Sequence, residues 1–157
     1  MSATLDELAG VVDLFDGLTR EELSRALIEL GARRGDDPDE DAVAESIETA
    51  VERYFLARYE RADGDDLLVP GPAAFPSVPE HGEDLPHIMD VPDRSLDRER
   101  LGEQVADRLA ADADAAIEDA DAERVEALID VTYDVEAWAP VELDDVRARL
   151  DAALADA

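Results

Sequence analysis

Signals that start helices recur along this chain, and they limit its possible folds more than any other feature. Thr4 and Glu7 have the spacing of a capping box, in which each side chain bonds the other residue's free backbone N–H. Thr19 and Glu22 repeat this spacing. Apolar residues follow both signals at helical intervals: Leu5, Leu8, Val11, Val12 and Phe15, then Leu23, Ala26, Leu27 and Leu30. We therefore predict two helices, the first ended by Gly17 and the second closing near residues 31–35.

A third helix and a β-hairpin are predicted next. Asp37 has the position of a helix cap, with Pro38 at the first helical position. The apolar stripe behind it is Val43, Ile47, Ala50, Val51 and Tyr54. The Asp63-Gly64 step favours a tight turn, so we expect a hairpin from Tyr54 to Val69. Three helices followed by a hairpin resemble a winged-helix domain, here over residues 1–76.

Six prolines between Pro70 and Pro92 mark a different kind of segment. So many prolines deny the backbone regular hydrogen bonds, and we predict no helix there. Apolar residues nevertheless recur at Phe75, Val78, Leu85, Ile88, Met89 and Val91. A solvated linker would not need them, so we expect the segment from about Val69 to Asp93 to dock on the helices through these side chains, with residues 77–94 as the connection between the two parts of the chain.

Residues 95–157 are predicted to form three more helices that share one core with the first part. The first two are capped by Asp97 and Asp121. Their apolar stripes are Leu101, Val105, Leu109, Ala113 and Ile117, then Val125, Leu128, Ile129 and Thr132. Tyr133 and Trp138 are interpreted as core anchors. The last helix has heptad-like spacing, so it could pack within its own chain or form a homodimer through the C-terminal helices. The predicted fold class is mainly α with one β-hairpin.

The charge balance indicates the solvent in which such a fold is stable. The chain has 43 acidic residues against 14 basic ones, a net charge of −29, and every basic residue is arginine. In dilute buffer this charge repels itself, but at about 1 M salt the Debye length falls to about 3 Å. Helical periodicity argues against a disordered acidic tail. We predict a halophilic protein, and we place it in the cytoplasm, away from membranes, because no signal peptide or apolar span is present.

The third helix tests whether the winged-helix-like half reads DNA. Its predicted exposed positions are Glu40, Asp41, Glu45, Glu48, Thr49 and Glu52, a face that would repel phosphates. Arg53, Arg58 and Arg61 around the hairpin are the candidate nucleic-acid residues. We favour the view that such arginines, with Arg33 and Arg34, pair with neighbouring carboxylates. A protein partner or self-association is thus preferred over nucleic acid.

Both histidines lie in the stretch "EHGEDLPHIMDVPD", residues 80–93. His81, His87 and Asp90 are the candidate metal ligands, with Glu83 as a fourth, since zinc sites combine His and carboxylate ligands. Their spacing matches no specific metal motif, and carboxylates are abundant throughout this chain. We favour a structural role, in which a side-chain hydrogen bond from His87 fixes a turn.

Signals for enzymes are lacking, and we predict no catalytic residue and no cofactor. There is no Gly-rich phosphate loop, no lysine, no cysteine and no Gly-x-Ser-x-Gly elbow. The leading hypothesis is a non-enzymatic protein-interaction or regulatory module. The alternatives are a DNA-binding regulator that uses the hairpin arginines and a metal-dependent activity at the histidine loop.

Four stretches resemble the short acidic proteins of unknown function found in haloarchaea: "DELAGVVDLFDGLTREEL", "LVPGPAAFP", "DLPHIMDVPDRS" and "DVTYDVEAWAPVEL". The resemblance extends over the whole chain. It implies a halophilic, cytoplasmic setting, and it implies no particular activity.

Overall fold

The computed structural model describes residues 4–35, 39–62 and 64–156. They fall into two compact units, Met1–Leu96 and Asp97–Ala157. The chain is mainly helical with a two-stranded antiparallel hairpin, so the predicted fold class is confirmed.

The first unit begins with helices α1 (Leu5–Leu14), α2 (Arg20–Arg33) and α3 (Glu40–Glu52). Both predicted capping boxes form, at the start of α1 and of α2. α3 begins two residues later than predicted, because its cap is Asp39, whose carboxylate accepts the Asp41 N–H at 3.0 Å. The cap predicted at Asp37 and Pro38 lies outside the described residues.

The hairpin joins strands β1 (Leu56–Tyr59) and β2 (Leu67–Pro70) in the predicted place. Its turn includes Gly64, which has the positive φ of 106° that tight turns favour. Asp63, the other predicted turn residue, lies outside the described residues. Leu18, between α1 and α2, forms a β-bridge with Leu68 through backbone bonds of 3.1 and 2.7 Å. The connection between these helices therefore lies beside β2 at the position of a third strand.

The core of this unit lies between the three helices and the hairpin. Its buried side chains are mostly leucine, valine, isoleucine and alanine, as the low aromatic content requires: Leu8, Val11, Val12, Leu18, Leu23, Leu27, Ile47, Leu56 and Leu68. Tyr54 is also fully buried and turns the chain from α3 into β1 with a φ of 65°.

The proline-rich segment contains short helical pieces, and the prediction that it contains no helix was wrong. A 3-10 turn at Gly82–Asp84 leads directly into α4 (Leu85–Ile88). Pro86 stands in the first turn of α4, where a backbone N–H has no partner within the helix. The proline therefore costs α4 no hydrogen bond.

The second unit contains α5 (Arg98–Glu118), α6 (Ala122–Trp138) and α7 (Asp144–Ala155). Asp97 and Asp121 cap α5 and α6 as predicted. The α5 stripe was predicted to end at Ile117, but Ala116 is the buried residue there, and Ile117 is half-buried. Each four-residue step advances about 40° beyond a full turn, so four such steps rotate a side chain roughly 160° off the stripe.

Tyr133 was predicted to be a core anchor, and this prediction was wrong. Its side chain is 56% exposed, and the Arg147 guanidinium lies 3.9 Å from its ring centroid. Arg147 also donates to the buried Thr132 hydroxyl at 2.9 Å and pairs with Glu136. This hydrogen bond to Glu136 raises the pKa of Arg147. Arg147 thus fastens α7 to α6, and Tyr133 covers it from the solvent side. Trp138 is half-buried.

Candidate interaction surface

The outer face of α3 carries acidic side chains and no arginine. Its exposed residues include Glu40, Asp41, Glu45, Glu48 and Glu52. Thr49, predicted to be exposed with them, is half-buried. Opposite this face, Ile47, Ala50 and Val51 are buried, and this burial sets the rotation of the helix. Because the apolar face of α3 is turned toward the core, its carboxylates lie on the opposite, solvent-facing side.

The three arginines predicted for nucleic acid lie at the end of α3 and on the hairpin. Arg53 follows the last residue of α3 and is exposed. On β1, Arg58 is exposed, with its Nε 3.8 Å from the Asp66 carboxylate. The Arg61 Nε donates to the Asp65 carbonyl at 2.9 Å, which ties the hairpin turn together.

A groove beside α2 brings together arginines that the sequence analysis did not connect. It has a volume of about 880 Å³ and is lined by Arg20, Arg25 and Arg58, with Ile28 and Leu68 as apolar residues. Glutamates and aspartates line it as well: Glu21, Glu40, Asp65 and Asp66. Arg20 pairs with Glu48 of α3. Arg20 and Arg25 carry no local sequence signal for a site, because the groove forms only when the hairpin packs beside α2.

The histidine loop does not gather its predicted ligands. His87 is exposed, and His81 is half-buried with its Nε2 3.8 Å from the Glu80 carboxylate. Asp90 instead lines a smaller groove with Ile28, Ile88 and Met89. Within residues 4–35, 39–62 and 64–156, no three His, Asp or Glu side chains are grouped to hold a metal ion. Backbone bonds such as the one from the Gly82 N–H to the Pro79 carbonyl at 2.8 Å shape this loop, and the Arg34 side chain donates to the Glu80 carbonyl at 3.4 Å. The His87 side chain, which was predicted to fix the turn, is exposed, and none of these bonds comes from it.

The segment after β2 forms an exposed apolar ridge. Residues 67–79 contain no charged residue, the longest such run in the chain. We call residues 73–79 the Phe75 ridge, because the Phe75 side chain is 82% exposed and Val78 is 50% exposed. Both were predicted to dock on the helices, as was Ile88, which is 43% exposed, and for these three the prediction was wrong. Leu85 is buried, and Met89 and Val91 pack against the core as predicted.

The backbone of the Phe75 ridge is nevertheless fixed to α1. The Phe75 N–H donates to the Asp6 carboxylate at 3.0 Å, and the Ser77 N–H donates to the Asp6 carbonyl at 3.1 Å. Gly10 permits this approach, since a Cβ there would lie 2.9 Å from the Ser77 nitrogen and closer still to its carbonyl. The ridge is therefore an ordered projection whose backbone is docked on α1 and whose Phe75 and Val78 side chains face solvent, whereas Pro79 is buried and Ala74 packs against the core.

A buried ion pair holds the end of the proline-rich segment to α2. Arg94 makes a two-pronged contact with the Glu22 carboxylate and donates to the Gly17 carbonyl at 3.2 Å. The two side chains are only 9% and 12% exposed. Burial acts to raise the pKa of Glu22, but hydrogen bonds from Arg94 and from the Thr19 backbone outweigh it, so the pKa is lowered. Glu22 thus serves both the capping box and this pair.

We expect Arg94→Leu to lower the free energy of unfolding by about 3 kcal/mol at pH 7 in molar KCl, because it leaves a buried carboxylate without its counter-charge. The lowered pKa of Glu22 means that the pair stabilises the fold above the unfolded value, about 4.3, and loses this effect as the pH falls through the folded value. The difference in the free energy of unfolding between wild type and variant should therefore become smaller below about pH 4.

Chemical denaturation followed by circular dichroism measures this difference in the free energy of unfolding. Tryptophan fluorescence would report on the other unit, because the only tryptophan of the chain, Trp138, lies there. Arg20→Leu is the matched control, because its pair with Glu48 is exposed and should be worth less than about 1 kcal/mol. Equal effects of the two substitutions, or a difference that does not change with pH, would contradict a stabilising role for the buried pair.

No described helix is both long and apolar enough to cross a membrane.

Comparison with known proteins places the chain in a family. No curated protein and no solved structure is significantly similar to the chain. Residues 6–155, which include both units almost completely, match the Family of unknown function (DUF7109). The chain therefore belongs to the DUF7109 family.

Proposed function

We propose that this protein is a non-enzymatic protein-interaction or regulatory module whose first unit is a winged-helix variant. The order of elements supports the assignment: α1, the bridge residue Leu18, α2, α3 and the hairpin, with Leu18 paired beside β2. In helix-turn-helix proteins the recognition helix enters the major groove of DNA. Here the corresponding helix, α3, presents carboxylates, and this observation carries the proposal.

The proposed setting is the cytoplasm of a halophilic cell. A net charge of −29 is compatible with a folded chain where salt screens it, and carboxylates keep such a surface soluble. In that medium, contacts through phosphates are weakened by salt, whereas apolar contacts are strengthened by salts excluded from protein surfaces. A partner recognised through apolar surface therefore suits the setting better than a nucleic acid does.

DNA binding is the second candidate function. The observation in its favour is the groove beside α2, where Arg20, Arg25 and Arg58 meet next to the hairpin that carries Arg61. The acidic residues in the same groove weaken this case, as does the acidic face of α3.

One experiment separates the two functions. Fluorescence anisotropy with labelled genomic duplexes in molar KCl is expected to show no saturable binding by the wild type. In parallel, cross-linking in a nuclease-treated extract of the source cells is expected to join the chain to a protein at fixed stoichiometry. Charge reversal on α3, by Asp41→Arg together with Glu45→Arg, should reduce the yield of that cross-linked complex. The control substitution Glu126→Arg on α6 should leave the yield unchanged.

The opposite result is equally definite. Saturable DNA binding in molar KCl that is lost in Arg58→Ala with Arg61→Ala, and kept in the control Arg149→Ala, would replace the proposal with the DNA-binding function. A chain that forms no stoichiometric protein complex and stays monomeric in the extract would also overturn it.

A further inference from the structure

We propose that the Phe75 ridge, residues 73–79, is the surface through which the protein docks on a partner protein. The occupant we infer is a protein with an apolar pocket that receives the Phe75 ring and with arginine or lysine side chains around the rim of that pocket. This inference rests on the proposed function and adds to it the recognition element and the chemistry of the partner.

The exposure of Phe75 sets it apart from the other two phenylalanines. Phe15 and Phe55 are partly buried against the core of the first unit, whereas Phe75 is 82% exposed. Val78, three residues on, adds a second exposed apolar side chain. Burying a phenylalanine side chain is favourable because it removes apolar surface from water, and salts that strengthen burial increase this gain. A partner that covers Phe75 would recover this free energy.

The ridge is ordered before any partner arrives. Its backbone is held by the bonds from Phe75 and Ser77 to Asp6, and a further bond joins the Ala73 N–H to the Tyr54 carbonyl at 2.9 Å. A preformed recognition element loses little conformational entropy on binding. The side chain offered by a rigid backbone is an aromatic one, the type that most often anchors protein interfaces.

Burial within the ridge selects the mode of recognition. Proteins that read proline-rich segments dock several exposed residues of an extended helix into aromatic grooves. Pro79 is buried here, so a proline-binding groove cannot contact both Pro76 and Pro79 while the ridge stays docked on α1. Phe75 remains as the anchor, and a pocket for one aromatic ring is the complementary shape.

Charge around the ridge determines the rim of that pocket. The uncharged run ends at Glu80, which is exposed, and Asp13 is exposed one turn after Gly10 on α1. Arg34 also lies at this end, where its guanidinium donates to the Glu80 carbonyl at 3.4 Å, but its charge is paired with the Glu7 carboxylate at 3.6 Å. A pocket that covers Phe75 brings its rim toward these carboxylates, and basic side chains are complementary to them. A second copy docked through the same ridge would bring its own Asp13 and Glu80 against these carboxylates at short range, where salt screens repulsion least, so self-association through the ridge is disfavoured.

The first test replaces Phe75 with the photo-cross-linking residue benzoyl-phenylalanine in the full chain. The matched control carries the same residue at Ile88, which is 43% exposed and lies in α4 of the same unit. After illumination in a source-cell extract at molar KCl, position 75 should cross-link to one protein that position 88 does not reach. Mass spectrometry should place the cross-link in an apolar pocket with arginine or lysine nearby.

The second test measures affinity with that protein in purified form. Phe75→Ala should weaken binding at least about 30-fold, as loss of an interface anchor does, whereas Ile88→Ala should change it less than about 3-fold. Circular dichroism should show both variants folded, since neither side chain is buried. A Phe75→Ala effect below about 3-fold, a cross-link to a second copy, or no cross-link from position 75 would overturn the inference.

The two proposals fail in different ways. If the α3 charge reversal abolishes a protein complex that Phe75→Ala leaves intact, the interaction function stands and the Phe75 ridge is not its docking surface. If neither substitution affects any protein complex because none forms, both proposals fail.

Discussion

Transfer of the protein from 2 M KCl to about 10 mM KCl is expected to lower its melting temperature by roughly 10–20 °C, a larger effect than any substitution should have. The net charge of −29 is the cause. At about 10 mM salt the Debye length is about 30 Å, so carboxylates repel one another across the whole surface, whereas at about 1 M only neighbours at about 3 Å interact. A loss of about 5 kcal/mol would remove much of the stability of an ordinary domain.

Thermal melts followed by circular dichroism at stepped KCl concentrations measure this effect. Sucrose at matched water activity is the control for exclusion of solute from the surface, and it should restore much less stability than salt does. A melting temperature that is independent of KCl, or one that sucrose restores fully, would show that charge repulsion does not govern stability.

One pair of carboxylates offers a local version of the same test. Burial and then repulsion from Asp130, one turn earlier on α6, raise the pKa of Asp134. Asp134→Asn should therefore stabilise the fold in dilute buffer by about 0.5 kcal/mol and have almost no effect in molar KCl. The same substitution at the two salt concentrations thus separates local repulsion from the effect of the total charge.

Gly10→Ala is expected to destabilise the protein by about 3 kcal/mol, although alanine is the better helix former by about 1 kcal/mol. The added Cβ would collide with the backbone of Ser77, which cannot rotate away as a flexible side chain could. Either α1 or the Phe75 ridge must shift, and the bonds from Phe75 and Ser77 to Asp6 would be lost. Hydrogen exchange of the Phe75 and Ser77 amides should accelerate in the variant.

Gly35→Ala is the matched control for this substitution. A Cβ on Gly35 would meet nothing within 4 Å, so only its positive φ of 78° opposes alanine, at a cost of about 1 kcal/mol. If Gly10→Ala instead raised the stability, as helix propensity alone would predict, the ridge could not lie against α1 as described.

Local chemistry explains which elements could be predicted from the sequence. Thr4, Thr19, Asp97 and Asp121 each cap a helix with partners within three residues, so their pattern is complete in a short stretch. The acidic outer face of α3 was predictable for the same reason, because helical period alone assigns it. The start of α3 was predicted two residues too early, because Asp37 and Asp39 have equally good cap sequences and only the fold distinguishes them.

The functional surface depended on contacts between distant parts of the chain. The sequence suggested docking for every apolar residue of the proline-rich segment, but the space on the helices accommodates Leu85 and leaves Phe75 in solvent. Likewise, Arg25 is one arginine among 14 until the hairpin packs beside α2 and forms a groove.

The sequence by itself determined the six longer helices of the described residues, the hairpin and the repulsive surface, since these depend on periodicity, capping and total charge. Only the tertiary structure decided which arginine pairs with Glu22, 72 residues from Arg94, and which apolar side chains remain exposed. With 43 carboxylates available, pairing is chosen by distance and burial, which a linear sequence does not contain. The close approach of Ser77 to Gly10 is likewise a matter of packing, because no residue beside Gly10 in the sequence indicates that a second backbone lies against it.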